Sequence, residues 1–323
     1  MARLDPATLR HLARTCLALP CLLLSCTTGT LPAGPFEVQV EDGTRRTTNG
    51  DRIAYSLFVP RESPGLPRPP WPAVVLMHGF ARDHRYARNN ALYMAQRGIV
   101  VLTPDMVNLL AGEPAQLRNI SNAVDHVTWL VSRNADSQDS LAGKIDVQRI
   151  GLAGHSAGGA VSLEAAIDLQ NTPTPAAALA LLDAVPWERT LARTADLDEI
   201  PMASVRSEPS PCNAGGVALN LLDRLTFSVQ DVRVVDGTHC DPENPSDWLC
   251  TITCGGARQE RQVVYQRLMY LFFQDAFGMP SPEDLPETYV AALEKLAAQG
   301  RVAVSNSAAA THAQPVAPGQ DSL

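Results

Sequence analysis

The fold is decided by a stretch near the middle of the chain, Ile150-Gly151-Leu152-Ala153-Gly154-His155-Ser156-Ala157-Gly158-Gly159. Its first four residues predict a short buried strand, and the apolar pattern of residues 159–169 predicts a helix. A Gly-x-Ser-x-Gly sequence between a strand and a helix is typical of a strained turn that exposes a serine hydroxyl. The stretch therefore predicts that Ser156 is a nucleophile. The alternative interpretation is a glycine-rich turn with a capping serine.

Strands and helices alternate on both sides of this turn. The predicted strands lie at residues 73–77, 99–104, 149–154, 176–182, 202–207 and 229–235, and the predicted helices at residues 90–97, 120–133, 159–169 and 261–277. Repeated strand–helix units imply a mostly parallel central sheet with helices on both faces. Two alternating segments, residues 36–40 and 52–59, predict an antiparallel edge. Because residues 185–201 form only a short connection, we predict an α/β fold with no large cap domain.

Three parts of the chain are predicted to differ in role. Residues 1–26 combine arginines with a short apolar run, which predicts an export signal and a periplasmic, extracellular or membrane-anchored location. Leu23-Leu24-Ser25-Cys26 resembles a bacterial lipobox, so lipidation of Cys26 and ordinary cleavage nearby are both open. Residues 27–300 form the predicted catalytic domain. Residues 301–323 are rich in Ala, Ser and Pro, which predicts a disordered tail.

Charge and cysteine content narrow the class of protein. A formal net charge of −8 argues against a nucleic acid partner. Four cysteines lie outside the leader, and an even number suits two disulfides in an oxidising compartment, in any of three pairings. A zinc site is the rival interpretation, although the spacing lacks two paired Cys-x-x-Cys motifs. The four cysteines are Cys212, Cys240, Cys250 and Cys254.

The base that would activate Ser156 is expected later in the chain. In this arrangement of strands the order is nucleophile, acid and histidine. Only His239 and His312 follow Ser156, and His312 lies in the predicted tail. His239 directly follows Gly237-Thr238, on a loop after a predicted strand. We therefore predict that His239 is the base.

Two backbone N–H groups are expected to bind the oxygen that becomes negative during acyl transfer. His78-Gly79-Phe80 lies at the end of the predicted strand at residues 73–77, where the second donor of such a site is found. We predict that Phe80 and Ala157 supply these two N–H groups. His78 is expected to order the loop and not to act as a base.

Two carboxylates compete for the third position of the triad. Asp183 ends the predicted strand at residues 176–182, and Glu208 follows the next one, at residues 202–207. A carboxylate at the end of a buried apolar strand needs a partner, which favours Asp183. Glu208 stays open as the alternative.

Several of these motifs resemble those of one enzyme superfamily. The strand-end His78-Gly79-Phe80, the turn at Ser156 and the segment ending in His239 are similar to the α/β-hydrolases of the chlorophyllase-like branch. The same segments are similar to platelet-activating-factor acetylhydrolases and to cutinase-type bacterial polyester hydrolases. In chlorophyllases the acid follows the sixth strand, which corresponds to Asp183. In cutinase-type enzymes it follows the seventh, where this chain has Ser210.

The resemblance implies a secreted serine hydrolase that cleaves carboxylic esters through an acyl-enzyme. It implies no metal and no organic cofactor, and its substrate would be a small or polymeric ester. The short connection without a cap predicts that the site is a shallow groove. Two other functions use the same features. One is an amidase or peptidase with the same triad, and the other is a non-catalytic surface lipoprotein on a hydrolase scaffold. The sequence gives no indication of the oligomeric state.

Overall fold

A computed structural model describes residues 31–107 and 112–307 of the chain. The predicted export signal at residues 1–26, with Cys26, lies outside these ranges, as do His312 and most of the predicted tail. No helix in the two described ranges combines the length and the hydrophobicity that crossing a bilayer requires.

The described residues form one sheet with strands in the order β1-β2-β4-β3-β5-β6-β7-β8-β9. Neighbours from β4 through β3 to β8 run parallel, whereas the pairs β1–β2, β2–β4 and β8–β9 are antiparallel. The mostly parallel sheet and its antiparallel first edge are therefore as predicted. The strands are β1 Val38–Arg46, β2 Arg52–Pro60, β3 Trp71–Met77, β4 Val100–Pro104, β5 Ile145–His155, β6 Leu179–Leu182, β7 Met202–Arg206, β8 Gln230–Val234 and β9 Val302–Asn306.

Helices cover both faces of the sheet, as an α/β-hydrolase fold requires. The helices are α1 Arg88–Ala95, α2 Glu113–Ala135, α3 Ala157–Leu169, α4 Glu188–Arg193, α5 Ala218–Leu222, α6 Trp248–Cys254, α7 Gln259–Ala276 and α8 Tyr289–Ala298. The side chains of β3 alternate between two cores, because successive residues of a strand point to opposite faces. Val75 and Met77 pack on the side of α2 and α3, and Val74 and Leu76 on the side of α1, α7 and α8.

The connection between β6 and β7 contains one short helix, α4, and no cap domain, as the sequence predicted. The fully buried Glu164 of α3 holds this helix in place. Its carboxylate accepts hydrogen bonds from Arg189 (3.0 Å) and Thr190 (2.6 Å). A buried carboxylate with these partners fixes α4 against α3.

The predicted tail boundary at residue 300 is wrong. Residues 302–306 form β9, which pairs antiparallel with β8 at the far edge of the sheet. A further helix that the sequence did not predict, α8, follows α7 and packs Leu293 and Leu296 into the core. Composition misled the prediction, since the many small residues after Ser305 hide the short strand that begins at the buried Val302.

Candidate active site

Ser156 lies in a strained turn between β5 and α3. Its backbone has φ +56° and ψ −122°, a conformation that residues with a Cβ rarely adopt. The turn is possible only because glycines flank it, since a Cβ at Gly154 would overlap the backbone of Gly158. A Cβ at Gly158 would in turn overlap the carbonyl of His78. The glycines therefore bring the turn against the end of β3.

Three of the predicted site residues form one hydrogen-bonded chain. The Nδ1–H of His239 donates to Oδ2 of Asp183 at 2.6 Å, which leaves Nε2 free to accept. The hydroxyl of Ser156 lies 2.8 Å from that Nε2. All three side chains are buried. This is the geometry in which a histidine can take a proton from a serine while a carboxylate fixes its tautomer.

Asp183 has a full set of hydrogen-bond donors around its carboxylate. Besides His239, it accepts from the backbone N–H of Ser207 (3.0 Å), the hydroxyl of Ser207 (2.5 Å) and Nδ2 of Asn213 (3.2 Å). Burial raises the pKa of this carboxyl, but the hydrogen bonds from His239 and Ser207 outweigh it and hold the pKa below its usual value. Asp183 is therefore ionised in the folded protein.

Glu208, the alternative acid, is not brought to His239. It forms an ion pair with Arg233 at the surface and accepts a hydrogen bond from the backbone of Asp236. Ser210, which stands where cutinase-type enzymes have their aspartate, caps a short turn together with Asn213. The sequence did not single out Ser207 or Asn213 as partners of the acid, although both lie in the segment that follows β7.

The loop that carries His239 is folded around a buried carboxylate, Asp241. The backbone N–H groups of Thr238 (2.6 Å) and Arg258 (2.8 Å) and the guanidinium of Arg261 (2.7 Å) all donate to it. Burial raises the pKa of Asp241, and these donors offset part of that shift. The loop therefore has a fixed shape, which holds the imidazole in place.

His155, the residue before Ser156, supports the same loop from the other side. Its Nε2–H donates to the backbone carbonyl of His239 at 2.8 Å, and the two rings lie 4.7 Å apart between centroids. Burial and the neighbouring His239 lower the pKa of His155, so the ring is neutral. Its Nδ1 has no hydrogen-bond partner among the described residues. Sequence reasoning gave His155 no role, although its position beside Ser156 was the available signal.

Of the two residues predicted to bind the oxyanion, Ala157 directly follows Ser156 and Phe80 lines the same cleft as Ser156. Ala157 is the first residue of α3, where backbone N–H groups have no partner inside the helix. Phe80 lies on the loop after β3, and its ring is exposed beside Ser156. His78 orders this loop as predicted, because its Nδ1–H donates to Gly79 O (2.8 Å) and its Nε2 accepts from Met106 N–H (2.9 Å).

Ser156 and His239 open into a cleft of about 300 Å³. Phe80 and Leu249 form part of its wall, as do the disulfide-linked Cys212, Cys250 and Cys254. A larger depression of about 540 Å³ lies beside Trp71, at the other end of β3, and contains neither Ser156 nor His239. The chemistry of the residues, and not the size of the cavity, therefore marks the candidate site.

The four cysteines outside the leader are joined in two disulfides. Cys212 pairs with Cys254, and Cys240 pairs with Cys250. Because all four sulfurs are joined in pairs, they are not available as zinc ligands, and the zinc interpretation is wrong. Both disulfides attach α6 to loops of the site, since Cys240 directly follows His239 and Cys212 directly precedes Asn213.

A family model described as PET hydrolase-like matches residues 31–201, more than half of the chain. The matched range includes Phe80, Ser156, Ala157 and Asp183, and it ends before His239. A cutinase Est1 of Thermobifida alba is 27% identical over 187 residues, which are 55% of this chain and 57% of the relative. A bis(hydroxyethyl) terephthalate hydrolase of Streptomyces coelicolor is 31% identical over 147 residues, 42% of this chain and 43% of the relative.

The chain thus spans about half the length of the curated relatives that it matches. Among the three groups that the sequence resembles, these relatives support the cutinase-type polyester hydrolases. The family match covers β5, the turn at Ser156, and β6, the strand that precedes Asp183. The chain belongs to the PET hydrolase-like family of α/β-hydrolases.

Proposed function

We propose that this protein is a serine hydrolase that cleaves carboxylic esters, with Ser156 as nucleophile, His239 as base and Asp183 as acid. One observation carries the proposal, namely the continuous chain of hydrogen bonds from Ser156 Oγ through the imidazole of His239 to Asp183 Oδ2. Of the three residues, only Ser156 lies in a recognisable sequence motif. Their convergence over 83 and 56 positions of the chain supports a common role.

The proposed reaction has two halves. Nε2 of His239 takes the proton of Ser156 Oγ while that oxygen bonds to the ester carbonyl carbon. The carbonyl oxygen becomes negative, and the N–H groups of Phe80 and Ala157 donate to it, aided by the positive end of the α3 dipole. The C–O bond of the alcohol then breaks, and the alcohol leaves with the proton from His239. Water repeats these steps on the acyl-enzyme and releases the acid.

The substrate class is an ester and not an amide, on the strength of the relatives. One relative is named a cutinase and the other a bis(hydroxyethyl) terephthalate hydrolase, and both names describe ester cleavage. In the described residues no cap domain covers the ends of the strands. The open cleft therefore also suits a substrate that is longer than the cleft. We therefore propose a polyester, or an oligomer of one, as the substrate.

We also propose that the protein works outside the cytoplasm. Disulfides persist in oxidising compartments, and two of them join α6 to the site loops. The export signal expected at residues 1–26 agrees with this location, with lipidation of Cys26 as one form of it. We propose a single catalytic domain that continues through β9 and does not end at residue 300.

The proposed function is tested by removing the nucleophile. Ser156→Ala should lower kcat on a soluble p-nitrophenyl acyl ester by about 10⁴-fold or more, as in other enzymes whose triad serine is removed. Ser137→Ala, which changes an exposed serine on a distant loop, is the matched control and should keep full activity. Thermal unfolding followed by circular dichroism checks that both variants are folded. Undiminished hydrolysis by folded Ser156→Ala protein would overturn the proposal.

A further inference from the structure

Exposed apolar side chains are concentrated beside the cleft. Of the eight large apolar side chains that are exposed in the described residues, Phe80 and Leu249 line the cleft, and Trp248 and Ile252 lie on the same helix as Leu249. The other four lie singly on α2, α5, α8 and β9. Single exposed apolar residues are ordinary, whereas a group of them at one place marks an interaction surface.

Three of these residues form what we call the α6 apolar face, defined as Trp248, Leu249 and Ile252. Trp248 and Ile252 are four residues apart and so lie on the same side of the helix, with 72% and 73% of their surface exposed. Leu249 continues the face into the cleft, which it lines together with Phe80. The α6 apolar face is therefore continuous with the proposed site of ester cleavage.

The helix α6 is held firmly, although it has only seven residues. A helix of this length is not stable by itself in water. Cys250 and Cys254 are four residues apart and so lie on one side of the helix, and their disulfides attach that side to the domain at two points. At its start, the carboxylate of Asp247 caps the helix and accepts a hydrogen bond from the hydroxyl of Tyr86 at 2.6 Å. The α6 apolar face is thus presented to solvent in one orientation, which lowers the entropy lost when it binds.

Charge indicates what kind of partner fits the α6 apolar face. The helix, Trp-Leu-Cys-Thr-Ile-Thr-Cys, carries no charged side chain, and Asp247 is the charged residue at its start. Anionic lipid surfaces are recognised by clusters of Lys and Arg, and the whole chain has a net charge of −8. An uncharged, apolar partner is therefore the one that fits.

We infer that the α6 apolar face binds the surface of a solid, uncharged polyester and so brings its chains to Ser156. This inference rests on the proposed function for the choice of polyester, because the face is continuous with the cleft in which the ester would be cleaved. Trp248 supplies the largest contact, since aromatic side chains dominate the binding energy of most interfaces. Binding at this face needs no cleavage of the polymer.

The test measures adsorption without catalysis. Ser156→Ala protein is incubated with amorphous poly(ethylene terephthalate) powder, and the free protein is measured over a range of concentrations. Introducing Trp248→Ala and Ile252→Ala together into the Ser156→Ala protein should weaken its adsorption by about tenfold, as expected when aromatic and aliphatic anchors are truncated. Adding Val290→Ala instead, which removes a side chain that is 53% exposed on α8, is the matched control. It should change adsorption by less than about twofold.

Equal adsorption of the Trp248→Ala/Ile252→Ala and Val290→Ala proteins would overturn the inference. It would also be overturned if the double substitution weakened binding to phosphatidylcholine vesicles and left binding to the polyester unchanged. Because every protein in this test lacks the Ser156 hydroxyl, the result does not depend on ester cleavage. Failure of the proposed function would appear separately, as absent hydrolysis of the soluble ester by the wild-type protein. Thermal unfolding of each variant checks that α6 is still folded onto the domain.

Discussion

Asp183 and Glu208 follow neighbouring parallel strands, β6 and β7, and their surroundings are opposite. The Asp183 side chain is 1% exposed and accepts hydrogen bonds from His239 and Ser207. The Glu208 side chain is 33% exposed and pairs with Arg233 at the surface. Both carboxylates lie at the carboxyl edge of the same sheet, so strand order alone does not decide between them.

The difference arises from the turns that follow the two strands. Asp183 has φ +45°, an unfavourable value for a non-glycine residue, and its backbone N–H donates to Val205 O at 2.8 Å. This turn directs the carboxylate to the donors of Ser207, the residue directly after the neighbouring strand β7. Glu208 comes directly after Ser207, but its side chain pairs with Arg233 instead of reaching His239. The comparison teaches that local donors, and not the position after a strand, select the acid.

The largest effect is expected when the two carboxylates are neutralised in turn. Asp183→Asn should lower kcat on a soluble p-nitrophenyl ester by about 10⁴-fold, because an amide donor at Oδ2 would favour the wrong tautomer of His239. Glu208→Gln should change kcat by less than about threefold, because it alters only a partly exposed ion pair. Steady-state kinetics on both purified variants measures the contrast.

Glu208→Gln also serves as the control for local structure in this experiment. The backbone carbonyl of Glu208 accepts a hydrogen bond from Asn213 at 2.9 Å, and Gln keeps that carbonyl. If Glu208→Gln lost activity while Asp183→Asn kept it, the acid would be the one that follows β7, and the comparison would be reversed.

A smaller effect is expected in the pH dependence of stability. The pKa of Asp183 is lowered in the folded protein, whereas in the unfolded chain it is about 3.9. The unfolded state therefore binds the proton first, so Asp183 contributes stability above about pH 4 that is lost as the pH falls through its lower folded pKa. Asp183→Asn cannot take up this proton. The difference in unfolding free energy between wild type and this variant should therefore shrink below about pH 4.

Urea titrations at a series of pH values between about 3 and 7 measure this difference. Glu208→Gln, analysed in parallel, gives the background for removing one carboxylate at the same sheet edge. A difference between wild type and Asp183→Asn that stays constant down to the lowest pH would contradict a lowered pKa for Asp183.

The sequence predicted the fold well wherever the apolar pattern is strong. The buried strand β3 and the amphipathic helix α2 are examples, although α2 begins at Glu113 and not near residue 120. It failed for β9, whose five residues include a single buried one, Val302, and so do not stand out from a tail rich in small residues. It gave no account of α6, because a seven-residue helix braced by disulfides has no pattern of its own. Its structure depends on cysteine pairing, which the sequence left among three choices.

For the candidate site, the sequence predicted the three residues that the structure joins in one hydrogen-bonded chain and missed the residues that hold them in place. Ser156 has a local motif, and His239 followed by elimination, while their catalytic roles stay predictions. Asn213 and Asp183 lie 30 positions apart, and His155 contacts the backbone of His239 over 84 positions. Such contacts leave no periodic signal, because a single buried polar residue is chosen by its three-dimensional partners. Only the folded chain reveals them.

The most direct test of the account is the rate at which a fluorophosphonate probe labels Ser156. The probe forms a bond to the serine oxygen and needs the same base and the same oxyanion donors as an ester. We predict rapid labelling of the wild-type protein and of Glu208→Ala, slow labelling of Asp183→Ala, and none of Ser156→Ala. Equal labelling of Asp183→Ala and wild type, or slow labelling of Glu208→Ala alone, would contradict the assignment of Asp183 as the acid behind His239.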